Sequence, residues 1–153
     1  MMIKVCFKKL NQNAEIPRYG YRGDAGLDFF AVDDVVIPAH ESIDVGTGVA
    51  WQAEMVDLIG DECGWHPYLQ LKGRSGMSIK NGVELCNAGV IDWGYRGEIR
   101  VKLYNTSGEA YEIKRGDRIA QGIVYLVPEV RVIEVEELSI SERGDRGFGS
   151  SGR

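Results

Sequence analysis

Short apolar–polar alternations, each closed by a turn signal, govern what this chain can fold into. Ile3, Val5 and Phe7 alternate with Lys4, Cys6 and Lys8, and Leu27, Phe29 and Ala31 with Asp28 and Phe30. The same period runs through Ile43, Val45 and Thr47, through Leu69 and Leu71, and through Val83 and Leu85. It continues in Ile99, Val101 and Leu103, then in Ile119, Gln121, Ile123 and Tyr125, and closes with Val130 and Val132. A two-residue period puts successive side chains on opposite faces of a strand, so each run can bury one face and wet the other. Glycine, asparagine, aspartate or proline fills nearly every gap, as at Gly46 and Gly48, Asn81-Gly82, Ser107-Gly108 and Arg115-Gly116-Asp117. Many short strands with turns every ~8–12 residues predict an all-β barrel or sandwich. Gln52–Gly60 is the one stretch with room for a helical turn, and Ile59–Pro67 reads as a loop.

A chain of 153 residues accommodates one domain with its own core. The N-terminal MMIKVCFKKL lacks a long apolar stretch, so no signal peptide is expected. No run approaches the ~18 apolar residues of a membrane span, and no membrane partner is expected. Cys6, Cys63 and Cys86 are odd in number and form no Cys-x-x-Cys pair. They read as reduced thiols, which points to the cytoplasm, or to the nucleus for a eukaryotic or viral source. With only His40 and His66 available, a zinc site is not expected. A net charge of −5 without a basic run disfavours nucleic acid as a partner. A small anion gathered by a few arginines and a metal remains compatible.

Two segments have the composition of a chemical site. GVIDWGYRGEI, Gly89 to Ile99, places Asp92 and Tyr95 three residues apart across a glycine-rich turn, just before an alternating strand. A strand end feeding such a turn can hold a carboxylate at the rim of a sheet, where it could activate a water; a plain polar turn has the same local pattern. Gly73-Arg74-Ser75-Gly76 combines a planar donor fork, a hydroxyl and glycines that let backbone amides approach an anion. Other motifs carry less. Gly147-x-Gly149-x-x-Gly152 matches the dinucleotide fingerprint in letters, but the chain ends one residue later, with no helix to follow. Arg-Gly-Asp occurs at Arg22, Arg115 and Arg143 with unequal spacing, so it is no structural repeat. The last stretch, RGDRGFGSSGR from Arg143, cannot bury enough surface to order itself, and its lone Phe148 looks like a ring waiting for a flat partner.

Taken in order, five segments resemble the motifs of the trimeric deoxyuridine triphosphatases, the dUTPases. They are AGLDFFA (Ala25–Ala31), GRSGMS (Gly73–Ser78), NAGVIDWGYRGEI (Asn87–Ile99), RGDRIAQ (Arg115–Gln121) and RGDRGFGSSG (Arg143–Gly152). The resemblance implies a jelly-roll-like β-barrel over residues 1–142, assembled as a homotrimer. It also implies a flexible C-terminal arm, residues 143–153, closing over an active site at a subunit interface. The implied reaction hydrolyses dUTP to dUMP and pyrophosphate with Mg²⁺, by in-line attack of water on the α-phosphorus.

Residue by residue, Asp92 matches the carboxylate that orients and deprotonates the water, a task open to a group ionised at neutral pH. Asp28 matches the carboxylate that holds the metal through its water shell. Arg74, Ser75 and the Gly76 amide match the binders of phosphate oxygens. Gln121 falls on the phosphate side, whereas Asp117 and Arg118 read as structural. Tyr95 resembles the ring that packs on deoxyribose and leaves no room for a 2′-hydroxyl. Asn87, Gly89, Val90 and Ile91 would read uracil through main-chain and amide groups, with either Asn87 or the backbone of Gly89 making the decisive contact. Phe148 would stack over uracil, with Gly149 and Ser150 beside it, and Arg143 would clamp the γ-phosphate.

The chain departs from the family pattern in four places. Lys72-Gly73 stands where a proline usually precedes the motif-two arginine, and Arg146 replaces the first glycine of the motif-five pair. Asn87 lies five residues before Asp92, one fewer than in many relatives, and Cys63–Pro67 looks like an insertion. Two alternatives stand beside the hydrolase: a dCTP deaminase-like member of the same fold, or a moonlighting regulatory binding protein. Such deaminases typically carry a second serine where this chain has Gly76, and they lack the arm motif. The zinc-dependent deaminases are excluded, because His-x-Glu and Pro-Cys-x-x-Cys are absent.

Overall fold

A computed structural model of the chain describes residues 2–56, 64–86 and 89–147. Its architecture is all-β, as the alternation requires, with eleven strands and one short helix among the described residues. Strands β1 (Met2–Lys9) and β5 (Val49–Val56) pair antiparallel, as do β3 (Val35–Ile37) and β10 (Tyr111–Ile113). A three-stranded sheet runs β4 (Ser42–Gly46), β9 (Arg100–Asn105), β7 (Val83–Leu85). A four-stranded sheet runs β2 (Leu27–Phe30), β11 (Arg118–Pro128), β6 (Trp65–Lys72), β8 (Val90–Asp92). The last sheet carries most of the residues expected to do chemistry.

The inward positions of the alternating runs form the core. Phe29, Val45, Leu69, Leu71, Val83, Val101 and Leu103 are fully buried together with Trp51, Ile37, Ile99 and Ile113. At ~1.5–3 kcal/mol for each large apolar side chain removed from water, these residues dominate the stabilising side of folding. Asn105 is the principal buried polar exception. Its amide donates to Ile37 O, Pro38 O and Glu109 O, while its Oδ1 accepts from the Ser107 backbone and hydroxyl. It thereby stitches the turn after β9 to the end of β3.

Four local expectations need correction. Gln52–Val56 continues β5 rather than turning into a helix, because Met2–Cys6 offer it a ladder; residues 57–60 lie outside the description. The helix, α1 (Ser75–Asn81), instead forms within the second motif; it buries Met77 and ends at Gly82, whose φ of 64° is the left-handed cap glycine tolerates. Trp65–Pro67, expected in a loop, belong to β6 because Val127 and Pro128 extend the pairing with β11; residues 59–63 lie outside the description. Val130 and Val132 pair with no strand among the described residues; Val130, Val132, Ile133, Val135, Leu138 and Ile140 are all exposed.

The phase of β11 also differs from simple alternation. Arg118 faces Phe30 and Ala120 faces Phe29, so Ile119 is an extra residue, a β-bulge. Ile119 and Ala120 both turn inward, and Arg118 and Gln121 both turn outward. Further along, Gly122 passes over Phe29, where a Cβ would overlap the ring and lie 2.9 Å from Leu69 Cδ1. A Gly122→Ala substitution should therefore destabilise the protein by ~1–3 kcal/mol through overpacking. Urea denaturation measures this as a lower midpoint at unchanged slope.

Candidate active site

Asp28 is the buried charge around which the candidate site is built. It lies on β2, 3% exposed, and its backbone N–H donates to Arg18 O at 2.8 Å. An unpaired carboxylate in that position would be costly, so it needs compensating donors. Arg74 Nε lies 3.4 Å from Oδ1, Arg118 Nη1 3.4 Å from Oδ2, and Gln121 Nε2 3.4 Å from Oδ1. Each contact exceeds the ~2.7–2.9 Å of a tight charge-assisted hydrogen bond, so the carboxylate is compensated without being clamped. The Arg74 contact is an ion pair without hydrogen-bond alignment, which leaves that buried N–H with no acceptor among the described residues. Two guanidinium groups outnumber one carboxylate, and the cluster presents an anion with a net positive surface.

The sheet register explains this convergence. Asp28, Gln121 and Lys72 are direct neighbours across β2, β11 and β6, on the outward face. The bulge at Ile119 brings Arg118 onto the same face as Gln121. Arg74 follows β6 by two residues in an extended conformation, and its Nη1 donates to Arg118 O at 3.3 Å. Ser75 and Gly76 form the exposed first turn of α1, where amides lack intrahelical acceptors; a Cβ on Gly76 would meet nothing within 4 Å.

Asp92 stands on the same outward face, halfway along β6. It is opposite Tyr68, which in turn stacks on Tyr125 with ring centroids 5.5 Å apart. Its carboxylate is exposed and makes no hydrogen bond or ion pair among the described residues. Tyr95 N–H donates to Asp92 O at 3.1 Å and closes the turn, and the Tyr95 hydroxyl donates to Glu98 O at 3.1 Å. Val90, Ile91, Asp92 and Tyr95 share a cleft of about 270 Å³ with Glu98 and Arg100. Arg74 lines a different cleft, of about 510 Å³, with Gln70, Lys72, Gly73, Ser78 and Glu84. The Lys72 and Tyr68 rows stand four residue steps apart along β6, about 13 Å at ~3.3 Å per residue. One chain therefore carries two separate clusters, each half of the candidate site.

Gly89 joins these halves. It is buried, its carbonyl accepts from Leu71 N–H at 2.6 Å, and its φ is +70°. A Cβ there would stand 2.8 Å from Leu71 O and 3.0 Å from Gln70 Nε2, so only glycine lets the hairpin strand lie this close to β6. Arg143 is exposed; its Nε donates to Arg146 O, and Arg146 Nε donates back to Arg143 O. Arg146, the departure in the fifth motif, thus turns onto the backbone of its own segment. Asn87, Phe148, Gly149 and Ser150 lie outside the described residues.

Arg118, which the resemblance placed among structural residues together with Asp117, lies beside the candidate site. The assignment of Asp117 to structure agrees with its geometry, because its Oδ2 accepts from Lys114 N–H at 2.8 Å. Arg118 instead reaches the buried carboxylate. The signal was the polar–apolar–apolar–polar run Arg118-Ile119-Ala120-Gln121, which breaks period two and marks a bulge.

A dUTPase family model matches residues 12–152. The chain belongs to the dUTPase family. It is 45% identical to the deoxyuridine 5′-triphosphate nucleotidohydrolase of Nautilia profundicola, over 99% of this chain and all of the relative. Identity to the enzyme of the same name from Helicobacter hepaticus is 46%, covering 99% of this chain and 89% of that one. Among solved structures, the dUTPase of Staphylococcus bacteriophage 80alpha with dUpNHpp superposes with a TM-score of 0.80 at 29% identity. That match covers 98% of this chain and 99% of the phage chain. A mutant dUTPase from S. aureus phage phi11, described with a structural Mg(II) ion, gives a TM-score of 0.72 at 25% identity, covering 90% of this chain and 99% of that one.

Gly89→Ala combines a disfavoured φ, costing ~1–2 kcal/mol, with a backbone clash. It should lower the thermal midpoint by several degrees, and a melting curve indistinguishable from that of the parent chain would contradict this account of the hairpin.

Proposed function

We propose that this dUTPase family member hydrolyses dUTP to dUMP and pyrophosphate, with Asp92 as the base. The observation that carries the proposal is the opposition of two half-sites, a cationic cluster and an unpaired carboxylate, on one sheet face. Asp92, exposed and without a hydrogen bond or ion pair among the described residues, is placed to accept a proton from a water attacking the α-phosphorus. Arg74, Ser75, the Gly76 amide and Gln121 bind phosphate oxygens, and the unpartnered Nε–H of Arg74 gains an acceptor when they do. Arg118 joins them through the shared carboxylate. Tyr95 packs on the deoxyribose. Asn87, Gly89, Val90 and Ile91 read uracil, rejecting cytosine by leaving buried donors and acceptors unmatched.

Mg²⁺ is the implied metal, and the residues fit a hydrated ion better than a directly ligated one. Among the described residues no three His, Cys, Asp or Glu side chains converge as a cage. Asp28 is a lone carboxylate with long contacts, suited to hold water molecules around the ion. When bound, Mg²⁺ would offset the charge of the triphosphate.

The proposed assembly is a homotrimer of jelly-roll-like barrels, with the Arg74 half-site of one subunit completed by the Asp92 half-site of another. Two observations support it: the distance between the halves within one protomer, and the exposed apolar side chains from Val130 to Ile140. The arm beginning at Arg143 closes the site, bringing Arg143 to the γ-phosphate and Phe148, Gly149 and Ser150 to the nucleoside. No nucleic-acid or membrane partner is proposed, and the proposed location is cytoplasmic, or nuclear in a eukaryotic or viral setting.

Side-by-side assays of dUTP, dCTP, dTTP and UTP test the activity: pyrophosphate release from dUTP alone is expected, and deamination of dCTP would overturn it. Asp92→Asn should lower turnover by about 10²–10⁴-fold, the scale of a positioned base, while substrate binding by calorimetry largely persists. An unchanged turnover number removes Asp92 from the mechanism. A chain ending at Glu142 should form the same oligomer by light scattering yet lose efficient hydrolysis; full activity in that truncation excludes a role for the arm.

A further inference from the structure

Tyr95 owes its position to two neighbours that no motif role covers. Its ring lies over Gly97, where a Cβ would overlap the hydroxyl and stand 2.5 Å from Cζ and 2.9 Å from Cε2. Gly97 has no left-handed φ, so its backbone suits any residue, and the vacancy serves the ring alone. The hydroxyl donates to the carbonyl of Glu98 at 3.1 Å. That carbonyl is itself fixed, because the Glu98 side chain is anchored at both oxygens. Oε1 accepts from Gly48 N–H at 2.8 Å, and Oε2 pairs with Arg100 Nη1 at 2.9 Å. The next residue is pinned to the same corner, with Ile99 N–H donating to Val49 O at 2.9 Å and the buried Thr47 hydroxyl donating to Ile99 O at 2.6 Å.

We propose that Gly97 and Glu98 are positioning residues for sugar discrimination, Gly97 by leaving the space in which the Tyr95 ring lies and Glu98 by anchoring the carbonyl that receives its hydroxyl. The inference rests on the reading of Tyr95 as the ring that packs on deoxyribose. Exclusion of a 2′-hydroxyl demands a ring held to within a fraction of an ångström, and a ring on a free side chain would swing aside. A methyl group at position 97 would drive the nearest ring carbons back by roughly 1 Å to reach van der Waals distance. Displacement on that scale near a reacting substrate carries large kinetic penalties.

The test is the ratio of kcat/KM for dUTP to that for UTP in four variants, each checked by its thermal midpoint. Tyr95→Ala and Gly97→Ala should each lower the ratio by about tenfold or more, with the dUTP loss mainly in KM. Glu98→Ala should lower it by roughly threefold or more, and Glu98→Gln, which keeps an oxygen for Gly48 N–H, should stay within about twofold of the parent. If Tyr95→Ala leaves the ratio intact, the reading of Tyr95 fails and this proposal with it. If Tyr95→Ala collapses the ratio but Gly97→Ala preserves it, the reading of Tyr95 stands and the positioning proposal is overturned. Should Glu98→Ala fold poorly, Gly97→Ala decides the question, because it strains no backbone angle.

Discussion

The register of β6 is the constraint from which the site geometry follows. Leu69 and Leu71 are driven inward by burial, and in a pleated strand that choice fixes Gln70, Lys72, Tyr68 and His66 outward. Pairing on one side aligns Gln121 and Asp28 with Lys72, and pairing on the other aligns Asp92 with Tyr68. A one-residue slip would bury the lysine and turn the catalytic candidate inward. Hydrophobic burial in the core therefore sets the spacing of charges on the surface.

Charge compensation at Asp28 has the opposite character. Its partners stand at the long end of ion-pair distances, and one buried donor of Arg74 has no acceptor among the described residues. Such a cluster is tolerated because Arg74 and Arg118 remain partly in contact with water. In folding terms it is loosely satisfied; in the proposed reaction it is a preformed seat for phosphate oxygens. The surrounding sheet holds it in place through backbone ladders rather than through the charges themselves.

The strands that alternate cleanly, such as β1, β4 and β9, were legible in the sequence, because one buried face per strand imposes period two. The family motifs likewise marked the hairpin and the arginine that follows β6. Other features were not legible, three of them for instructive reasons. The helix at Ser75–Asn81 hides in a glycine- and serine-containing motif with low intrinsic helix propensity, and its formation depends on Met77 reaching the core. The strand character of Trp65–Pro67 depends on a partner more than fifty residues away. Val130 and Val132 carry the strand pattern without a strand, since pattern records which side chains could be buried and not whether a neighbour is there to bury them.

The extra residue at Ile119 has a further consequence for how this strand can change over evolutionary time. It switches parity: everything before it is counted odd-for-even relative to everything after. Removing Ile119 would restore plain alternation, with Arg118 outward, Ala120 inward and Gln121 outward, and Gly122 and Val124 would keep their inward places; what would go is one fully buried isoleucine and the local bend of the bulge. The ladder can absorb a shorter strand; the core, short of one side chain, cannot.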